Sequence, residues 1–445
     1  MPAAFDLIVR NGTVVNQNGI GAADIGIRDG RIAAIGDLGQ SDAAESVDAT
    51  GLTILPGVID SQVHFREPGM EHKEDMATGS QGAALGGVTT VFEMPNTRPT
   101  TTDANALADK IRRATGRMVC DFAFWFGATA ENAHELAEAE RLPGSAGIKM
   151  FMGSSTGDLL VDETEHVRRV LAHGRRRVAV HSEDETRLKE RAHMRVAGDA
   201  ASHPVWRDAR AALICTERLI RLARETGRRV HVLHISTADE LPLLAAHKGL
   251  ITAEVTPHHL TLTADDYATL GNLAQMNPPV REVRHRDALW GAVRDGTIDV
   301  LGSDHAPHTL EEKQADYPKS PSGMTGVQTL LPIMLDHVNA GRLTLERLVD
   351  LTSHGPQRLF GIARKGRIAL GYDADLTIVD LKESRTIENA RIASKVGWTP
   401  YDGREVVGWP KGTVVRGRRI MWEDELIGEP CGAPVGFTEG CVDPA

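Results

Sequence analysis

The stretch PGVIDSQVHFREPG, residues 56–69, places polar side chains at alternate positions after an apolar run. Alternate side chains of a strand project from the same face, so Gln62, His64 and Arg66 are expected to point together from one strand end. An imidazole among other polar groups is the beginning of a metal site. The glutamine is unexpected, because a neutral amide oxygen binds zinc less well than a second imidazole.

Four further predicted strands carry polar residues at or near their carboxyl ends. The chain has 18 histidines, so any one of them taken alone is weak evidence for a ligand. Several strand ends that meet at one mouth are stronger evidence, because imidazole and carboxylate groups together suit zinc or a similar divalent cation that activates water. The residues predicted to converge are His64, Lys149, His181, His234, Asp304, His305 and His308.

Lys149 is the unusual member of this set, because a protonated amine has no lone pair and repels a cation. A carboxylated Lys149 would instead be a carboxylate that bridges two ions. The alternative is that Lys149 extends to solvent or pairs with an acid.

The chain between these positions reads as alternating strands and helices. Short apolar strands separated by longer helical stretches are typical of βα units around a parallel sheet, and eight of them indicate a (β/α)₈ TIM barrel. The eight predicted strands are LTILPGVIDSQVHF, TTVFEMP, CDFAFWFG, GIKMFMG, RVAVHSE, RVHVLHIS, ITAEVTP and IDVLGSDHA. Catalytic groups of such a barrel lie at the carboxyl ends of its strands, where the polar residues fall.

Both ends of the chain are rich in short strands and turns. Residues 5–15 (FDLIVRNGTVV) predict two short strands around an Asn-Gly hairpin, and residues 366–380 and 412–422 alternate similarly. We therefore predict an α/β protein in which both termini form a small β-sandwich beside the barrel. The predicted boundaries are 1–54 with 365–445 for the sandwich and 55–364 for the barrel.

The composition excludes several classes of protein. A length of 445 residues and 41% hydrophobic residues allow one large core and one smaller core. A formal charge of -11 and a pI near 5.9 argue against nucleic acid as a partner. Four cysteines without CxxC pairing fit a reducing cytoplasm. No signal peptide and no run of ~20 apolar residues is present, so we expect a soluble cytoplasmic protein without a membrane partner.

Several motifs together resemble the amidohydrolase superfamily, and within it the cyclic amidohydrolases, which are dihydroorotases, allantoinases and hydantoinases. The motifs are DSQVHFREPG, GIKMF, HSED, LHIST and GSDHAPH, and the resemblance extends over nearly the whole chain. It implies hydrolysis of a cyclic amide by a TIM-barrel enzyme with one or two zinc or other divalent ions. The metal ligands that the resemblance implies are His64, carboxylated Lys149, His181, His234 and Asp304, with Asp304 also transferring the proton.

HFREPG followed by EMPNT resembles dihydroorotases most closely, which implies that Arg66 and Asn96 hold a substrate carboxylate. A guanidinium matches a carboxylate through two hydrogen bonds, and allantoin and simple hydantoins have no carboxylate. The implied reaction is the reversible hydrolysis of dihydroorotate to N-carbamoyl-aspartate in pyrimidine biosynthesis. Further substrate contacts implied by the resemblance are Asn277, His308, Ser322 and Gly323. Two positions depart from the family pattern: Ser322 replaces the usual phenylalanine, and Gln328 stands where glutamate is common.

The candidate residues also have structural interpretations. Arg66 could pair with Glu67 or Glu71, Asn96 could shape a turn, and Asp304 could cap a helix.

The glutamine at position 62 leaves three outcomes for the site: a two-metal centre in which Gln62 is a weak ligand, a one-metal enzyme, or an inactive site. The remaining alternatives are an allantoinase or hydantoinase, and a silent subunit that scaffolds a transcarbamoylase. The resemblance also implies a homo-oligomer, although no stretch identifies an interface.

Overall fold

The structure is a computed structural model that describes residues 3–154 and 159–438. Its strands form two sheets, one built from the first five and last four strands and one from the eight strands between them. The N-terminal strands are β1 (Phe5–Asn16), β2 (Gly19–Arg28), β3 (Arg31–Gly36), β4 (Ala43–Asp48) and β5 (Thr53–Pro56). The central strands are β6 (Val58–Val63), β7 (Val88–Glu93), β8 (Asp121–Gly127), β9 (Ser145–Phe151), β10 (Val178–His181), β11 (Val230–Val232), β12 (Ile251–Val255) and β13 (Val300–Leu301). The C-terminal strands are β14 (Leu376–Thr386), β15 (Glu405–Val415), β16 (Arg418–Trp422) and β17 (Glu425–Leu426).

The eight central strands pair in parallel and in chain order from β6 to β13. The two ends of this sheet meet beyond β13, where Val63 bridges to His305 in parallel and the His64 N–H donates to the His305 carbonyl over 2.7 Å. The sheet therefore closes on itself, and the predicted TIM barrel with a separate sheet from the two termini is confirmed.

Helices follow the barrel strands and cover the outer face of the sheet. Helix α7 shows how the sequence sets their limits, since the Asp208 carboxylate accepts from the Ala211 N–H at its start and Gly227 ends it with a left-handed φ of 70°. The helices are α1 (Met76–Leu85), α2 (Ala104–Ala114), α3 (Leu136–Ala139), α4 (Thr164–Ala172), α5 (Glu185–Glu190), α6 (His203–Trp206), α7 (Ala209–Thr226), α8 (Leu241–Ala246), α9 (Pro257–Thr261), α10 (Tyr267–Leu270), α11 (Val283–Asp295), α12 (Leu310–Lys313), α13 (Leu330–Asn339), α14 (Leu345–Val349) and α15 (Gly355–Phe360).

The barrel strands have two buried faces, and the alternation of side chains assigns each residue to one of them. Ile148 and Met150 of β9 belong to the core between sheet and helices. Lys149 and Phe151 therefore face the barrel interior. A second apolar cluster, which includes Trp125 of β8 and Phe360 of α15, fills part of that interior.

The first predicted strand, LTILPGVIDSQVHF, is wrong as a single element, because it divides into β5 in the terminal sheet and β6 in the barrel. Gly57 occupies the junction. A Cβ there would lie 2.3 Å from the Thr89 hydroxyl and 2.7 Å from the Asp375 Cβ, so only glycine lets the chain pass from one sheet to the other.

The predicted Asn-Gly hairpin within residues 5–15 is also wrong, since the whole stretch belongs to β1. Asn11 has a positive φ of 60°, and the β1–β2 register shifts between Val9 and Gly12, so the Asn-Gly pair makes a bulge. The hairpin turn comes later, where Asn16 pairs with Gly19.

The terminal sheet is mixed, because β4 and β5 run parallel to β1 while its other pairings are antiparallel. It encloses its own apolar core.

The predicted domain boundaries, residues 1–54 with 365–445 for the terminal domain and 55–364 for the barrel, stay a prediction. Among the residues described, no helix has the length and apolar character to cross a bilayer.

Candidate active site

The end of β6 places Gln62 and His64 against Asp304, as alternation along a strand predicts. Gln62 Nε2 donates to Asp304 Oδ1 over 2.9 Å, and His64 Nε2 lies 3.1 Å from the same oxygen. Asp304 Oδ2 accepts no hydrogen bond from the residues that the structure describes. Asp304 is not a helix cap, because the next helix, α12, is capped by Thr309. One carboxylate oxygen is thus fixed from two sides while the other is available.

His64 is held at its second nitrogen by Asn96, whose Oδ1 lies 2.8 Å from His64 Nδ1. Asn96 therefore does more than shape a turn. Burial lowers the pKa of His64, although Asp304 opposes the shift. The Oε1 atom of Gln62 is buried and has no hydrogen-bond partner among the described residues.

The ends of β10 and β11 bring together two imidazoles, with His181 Nδ1 3.1 Å from His234 Nε2. His181 Nε2 lies 2.9 Å from Glu183 Oε2. Because a carboxylate only accepts, this nitrogen carries the hydrogen and Nδ1 directs a lone pair toward His234. Burial lowers the pKa of both histidines. Two neutral imidazoles with their nitrogens this close supply two of the ligands that a divalent cation such as zinc uses.

Glu183 is fixed in turn by Arg207, whose Nε donates to Glu183 Oε1 over 3.2 Å and whose Nη2 contacts Oε2. Burial raises the pKa of Glu183, but Arg207 and His181 outweigh it and hold the pKa below its ordinary value. The carboxylate is therefore charged and orients the His181 ring, as the outer partner of a metal-ligating histidine does.

Lys149 lies in β9 with its amine buried and without a hydrogen-bond partner in the described chain. It neither reaches solvent nor pairs directly with an acid, so both structural alternatives are wrong. Burial lowers the pKa of Lys149 to about 7, with Asp304 and Glu254 opposing the shift. Burial also raises the pKa of the neighbouring Glu254 to about 8, with the charge of Asp304 adding to the shift.

Lys149 connects the two groups of donors electrostatically. The charge of Asp304 raises the pKa of Lys149, whereas Lys149 lowers the pKa values of His181 and His234. Within residues 3–154 and 159–438, no three His, Cys, Asp or Glu side chains converge closely enough to hold a metal ion. The donors form two pairs, His64 with Asp304 and His181 with His234, and Lys149 is the group that acts on both.

Three of the candidate residues have left-handed backbone conformations, which side chains other than glycine rarely adopt. Their φ angles are 62° for Arg66, 40° for His234 and 47° for Asp304. Each such residue costs ~1–3 kcal/mol, and such strain persists where the surrounding structure over-determines it, commonly at active sites. Strained backbone at three strand ends makes this side of the barrel the candidate functional side.

Arg66 follows β6 and turns toward the loop after β13, where its Nε donates to the Pro307 carbonyl over 3.1 Å and its Nη2 lies 3.2 Å from His308 Nε2. The predicted alternative, an ion pair with Glu67 or Glu71, is wrong. Glu67 binds arginines of the α2 segment, and Glu71 accepts from the Gly69 N–H. Arg66 is 2% exposed, so its positive charge is buried beside a neutral ring.

The other predicted substrate contacts lie nearby in loops. Asn277 Oδ1 lies 2.9 Å from His203 Nε2, and the Ser322 carbonyl lies 3.0 Å from His308 Nε2. Gly323 has a φ of 144°, and a Cβ there would lie 2.3 Å from the Ala306 carbonyl oxygen, so this close approach needs glycine. Gln328 has a structural use instead, since its amide bonds both the Arg391 carbonyl and the Ala393 N–H.

Sequence reasoning did not assign roles to Glu183, Arg207 or Lys73. Glu183 had a local signal, since it follows His181 by two positions in HSED. Arg207 and Lys73 had no local sequence signal. Arg207 contacts Glu183 and Lys73 contacts His308, and both partners are remote in the chain.

The comparison with known families agrees with this fold. A model of the amidohydrolase family matches residues 53–420, and one of the urease alpha-subunit N-terminal domain matches residues 1–57. The chain therefore belongs to the amidohydrolase family.

Three relatives show how far the similarity extends. A dihydroorotase of Halobacterium salinarum is 40% identical over 91% of this chain and 94% of its own length. An allantoinase of Solibacter usitatus is 37% identical over 95% of this chain and 94% of its own length. The solved L-hydantoinase (dihydropyrimidinase) from Arthrobacter aurescens has a TM-score of 0.92 and 32% identity, over 97% of this chain and 99% of that one. The prediction of a cyclic amidohydrolase is confirmed. The three relatives are named for three different enzyme activities, dihydroorotase, allantoinase and L-hydantoinase.

Proposed function

We propose that this protein is a dihydroorotase, which interconverts dihydroorotate and N-carbamoyl-aspartate in pyrimidine biosynthesis. The observation that carries this proposal is the buried guanidinium of Arg66, placed beside the neutral His308 ring and on the same side of the barrel as Asp304. Burial lowers the pKa of Arg66 to about 10, so it stays charged at neutral pH. A buried positive charge favours an anionic substrate group, and dihydroorotate has a carboxylate.

The donor set fits a divalent cation. His181 Nδ1 directs a lone pair toward His234 Nε2, and Lys149 Nζ is buried without a partner in the described residues. Buried polar atoms without partners are expensive, and a bound cation would use such donors. We propose that His181, His234, Asp304, His64 and a carboxylated Lys149 hold one or two zinc ions, which supply Lewis acidity at the reacting carbonyl.

Carboxylation of Lys149 agrees with the surroundings of its amine. A neutral amine can attack carbon dioxide, forming an N–C bond and releasing one proton, whereas an ammonium cannot. With a pKa of about 7, much of Lys149 is neutral at physiological pH. The product is a carboxylate, which supplies the donor that could join the two pairs of ligands.

The chain's own residues then position the substrate and move one proton. Arg66, His308 and Asn96 hold the substrate carboxylate and so fix the ring carbonyl before reaction. Asp304 takes a proton from the attacking water at Oδ2 and delivers it to the leaving ring nitrogen. Gln62 keeps the other oxygen of Asp304 in place, which limits the carboxylate to one productive orientation.

The allantoinase or hydantoinase alternative has its own support. Ser322 replaces the phenylalanine usual in dihydroorotases, and an allantoinase and a hydantoinase are among the similar proteins. Assays of the purified, zinc-loaded enzyme with dihydroorotate, allantoin and hydantoin separate the candidates. We expect the highest kcat/KM with dihydroorotate. A higher value with allantoin or hydantoin would contradict the proposal, and hydrolysis of none would favour the silent scaffold subunit.

We further propose a cytoplasmic homo-oligomer that can associate with a transcarbamoylase. The support is the resemblance to dihydroorotases, together with the scattered cysteines. Cys120, Cys215 and Cys431 are free thiols, and Cys441 lies outside the described residues.

A further inference from the structure

A second cation, Lys73, approaches the proposed carboxylate-binding residues from the side away from Arg66. Lys73 Nζ lies 3.0 Å from His308 Nδ1 and 2.8 Å from Glu312 Oε1. Its side chain is 12% exposed, so the contact is largely shielded from water. Glu312 also closes the capping box of α12, where its Oε2 accepts from the Thr309 N–H. This carboxylate therefore anchors Lys73 to a fixed helix end.

The contact with Lys73 determines which nitrogen of His308 carries the hydrogen. An ammonium group only donates, and Lys73 Nζ lies closer to His308 Nδ1 (3.0 Å) than Glu312 Oε2 does (3.7 Å), so Nδ1 accepts from Lys73. In a neutral imidazole the hydrogen then resides on Nε2, which lies 3.0 Å from the Ser322 carbonyl and donates to it. Burial lowers the pKa of His308 to about 3, with Arg66 adding to the shift, so the ring is neutral.

This tautomer leaves two donors facing each other. His308 Nε2 and Arg66 Nη2 are 3.2 Å apart, and neither can accept from the other. An acceptor with two lone pairs, such as a carboxylate oxygen, would accept from Arg66 Nη2 and share the Nε2–H of His308 with the Ser322 carbonyl. The opposite tautomer, with hydrogen on Nδ1, would turn the Nε2 lone pair toward the substrate and repel the same anion.

We propose that Lys73 is a positioning residue that fixes His308 as the Nε2–H tautomer, so that His308 and Arg66 together present N–H donors to the substrate carboxylate. This inference rests on the proposed function for the identity of the anion. Lys73 acts through His308, and the charge that it adds to this side of the barrel is largely offset by Glu312.

The direct test is the ¹⁵N spectrum of the histidine rings in the full-length protein, with the His308 signals assigned through His308→Gln. In the wild type we expect a hydrogen-bearing Nε2 and an accepting Nδ1. Lys73→Arg keeps a donor and should preserve this tautomer, whereas Lys73→Met should shift His308 toward Nδ1–H. A wild-type ring with hydrogen on Nδ1, or an unchanged tautomer in Lys73→Met, would overturn the proposal.

The kinetic test compares KM with kcat for dihydroorotate. Loss of one charge-assisted donor should raise KM about tenfold in Lys73→Met and leave kcat within about twofold. The exposed Lys382→Met is the matched control and should change neither value. An unchanged KM in Lys73→Met would also contradict the proposal. If the wild type does not hydrolyse dihydroorotate, the proposed function fails, while the tautomer measurement still decides the role of Lys73.

Discussion

Gln62 stands where a second imidazole would bind zinc better, and its amide donates to Asp304, the carboxylate that we propose as catalytic. Its Nε2 donates to the Asp304 oxygen that His64 also contacts. Residue types and spacing predicted that Gln62, His64 and Asp304 would meet, because strand alternation and barrel geometry are regular. They could not predict this hydrogen bond, which depends on the rotamers of side chains 242 positions apart.

At this scale we predict that Gln62→Leu lowers kcat by about 10- to 100-fold, the effect of losing one hydrogen bond to a charged group. The zinc content per chain should stay the same, because Gln62 positions Asp304 and does not act as an essential ligand. Activity assays and metal analysis of the same preparations measure both quantities, with the exposed Gln40→Leu as control. A loss of zinc in proportion to the loss of activity would mean that Gln62 is a ligand.

At the scale of elements, the eight barrel strands could be predicted because each is a short apolar run followed by a helical stretch. The division of LTILPGVIDSQVHF between two sheets could not, because both halves are apolar and only one glycine separates them. Thr89 and Asp375, which are distant in sequence, force the break at Gly57. The Asn-Gly bulge in β1 could not be predicted either, because a local turn signal does not show which strand pairs with that stretch.

We predict that Gly57→Val lowers the free energy of unfolding by about 1–3 kcal/mol, because the new side chain overpacks the junction between β5 and β6. Urea unfolding provides the measurement. Gly21→Val is the matched control, since it lies in the exposed part of β2 where a Cβ meets nothing within 4 Å. We expect that control to change the stability by no more than about 0.5 kcal/mol. Equal effects of the two substitutions would show that the junction is not tightly packed.

At the scale of the whole molecule, a buried ion cluster joins the barrel to the terminal sheet. Lys365 binds Asp121, which opens β8, over 2.6 Å and also binds Asp375, which precedes β14. Arg416, between β15 and β16, contacts Asp121 as well. No sequence motif predicts this cluster, because its members come from three separate regions of the chain. The barrel that carries the candidate active site is thus linked to the sheet formed by both termini.

Removing the central cation of this cluster should therefore destabilise the entire protein. We predict that Lys365→Met lowers the free energy of unfolding by about 3–5 kcal/mol, because two buried aspartates lose their shared partner. The exposed Lys382→Met should leave it nearly unchanged. Urea unfolding followed by tryptophan fluorescence gives the comparison, and a Lys365→Met protein as stable as the control would refute a structural role for the cluster.

We propose that the carboxyl ends of the barrel strands hold a cation between His181, His234 and Lys149. An anomalous-difference map from zinc-loaded crystals, recorded on both sides of the zinc absorption edge, tests it most directly. We expect a peak within bonding distance of His181 Nδ1 and His234 Nε2, next to a Lys149 side chain extended by a carboxyl group. A zinc-saturated protein whose anomalous peaks all lie away from these residues would contradict it.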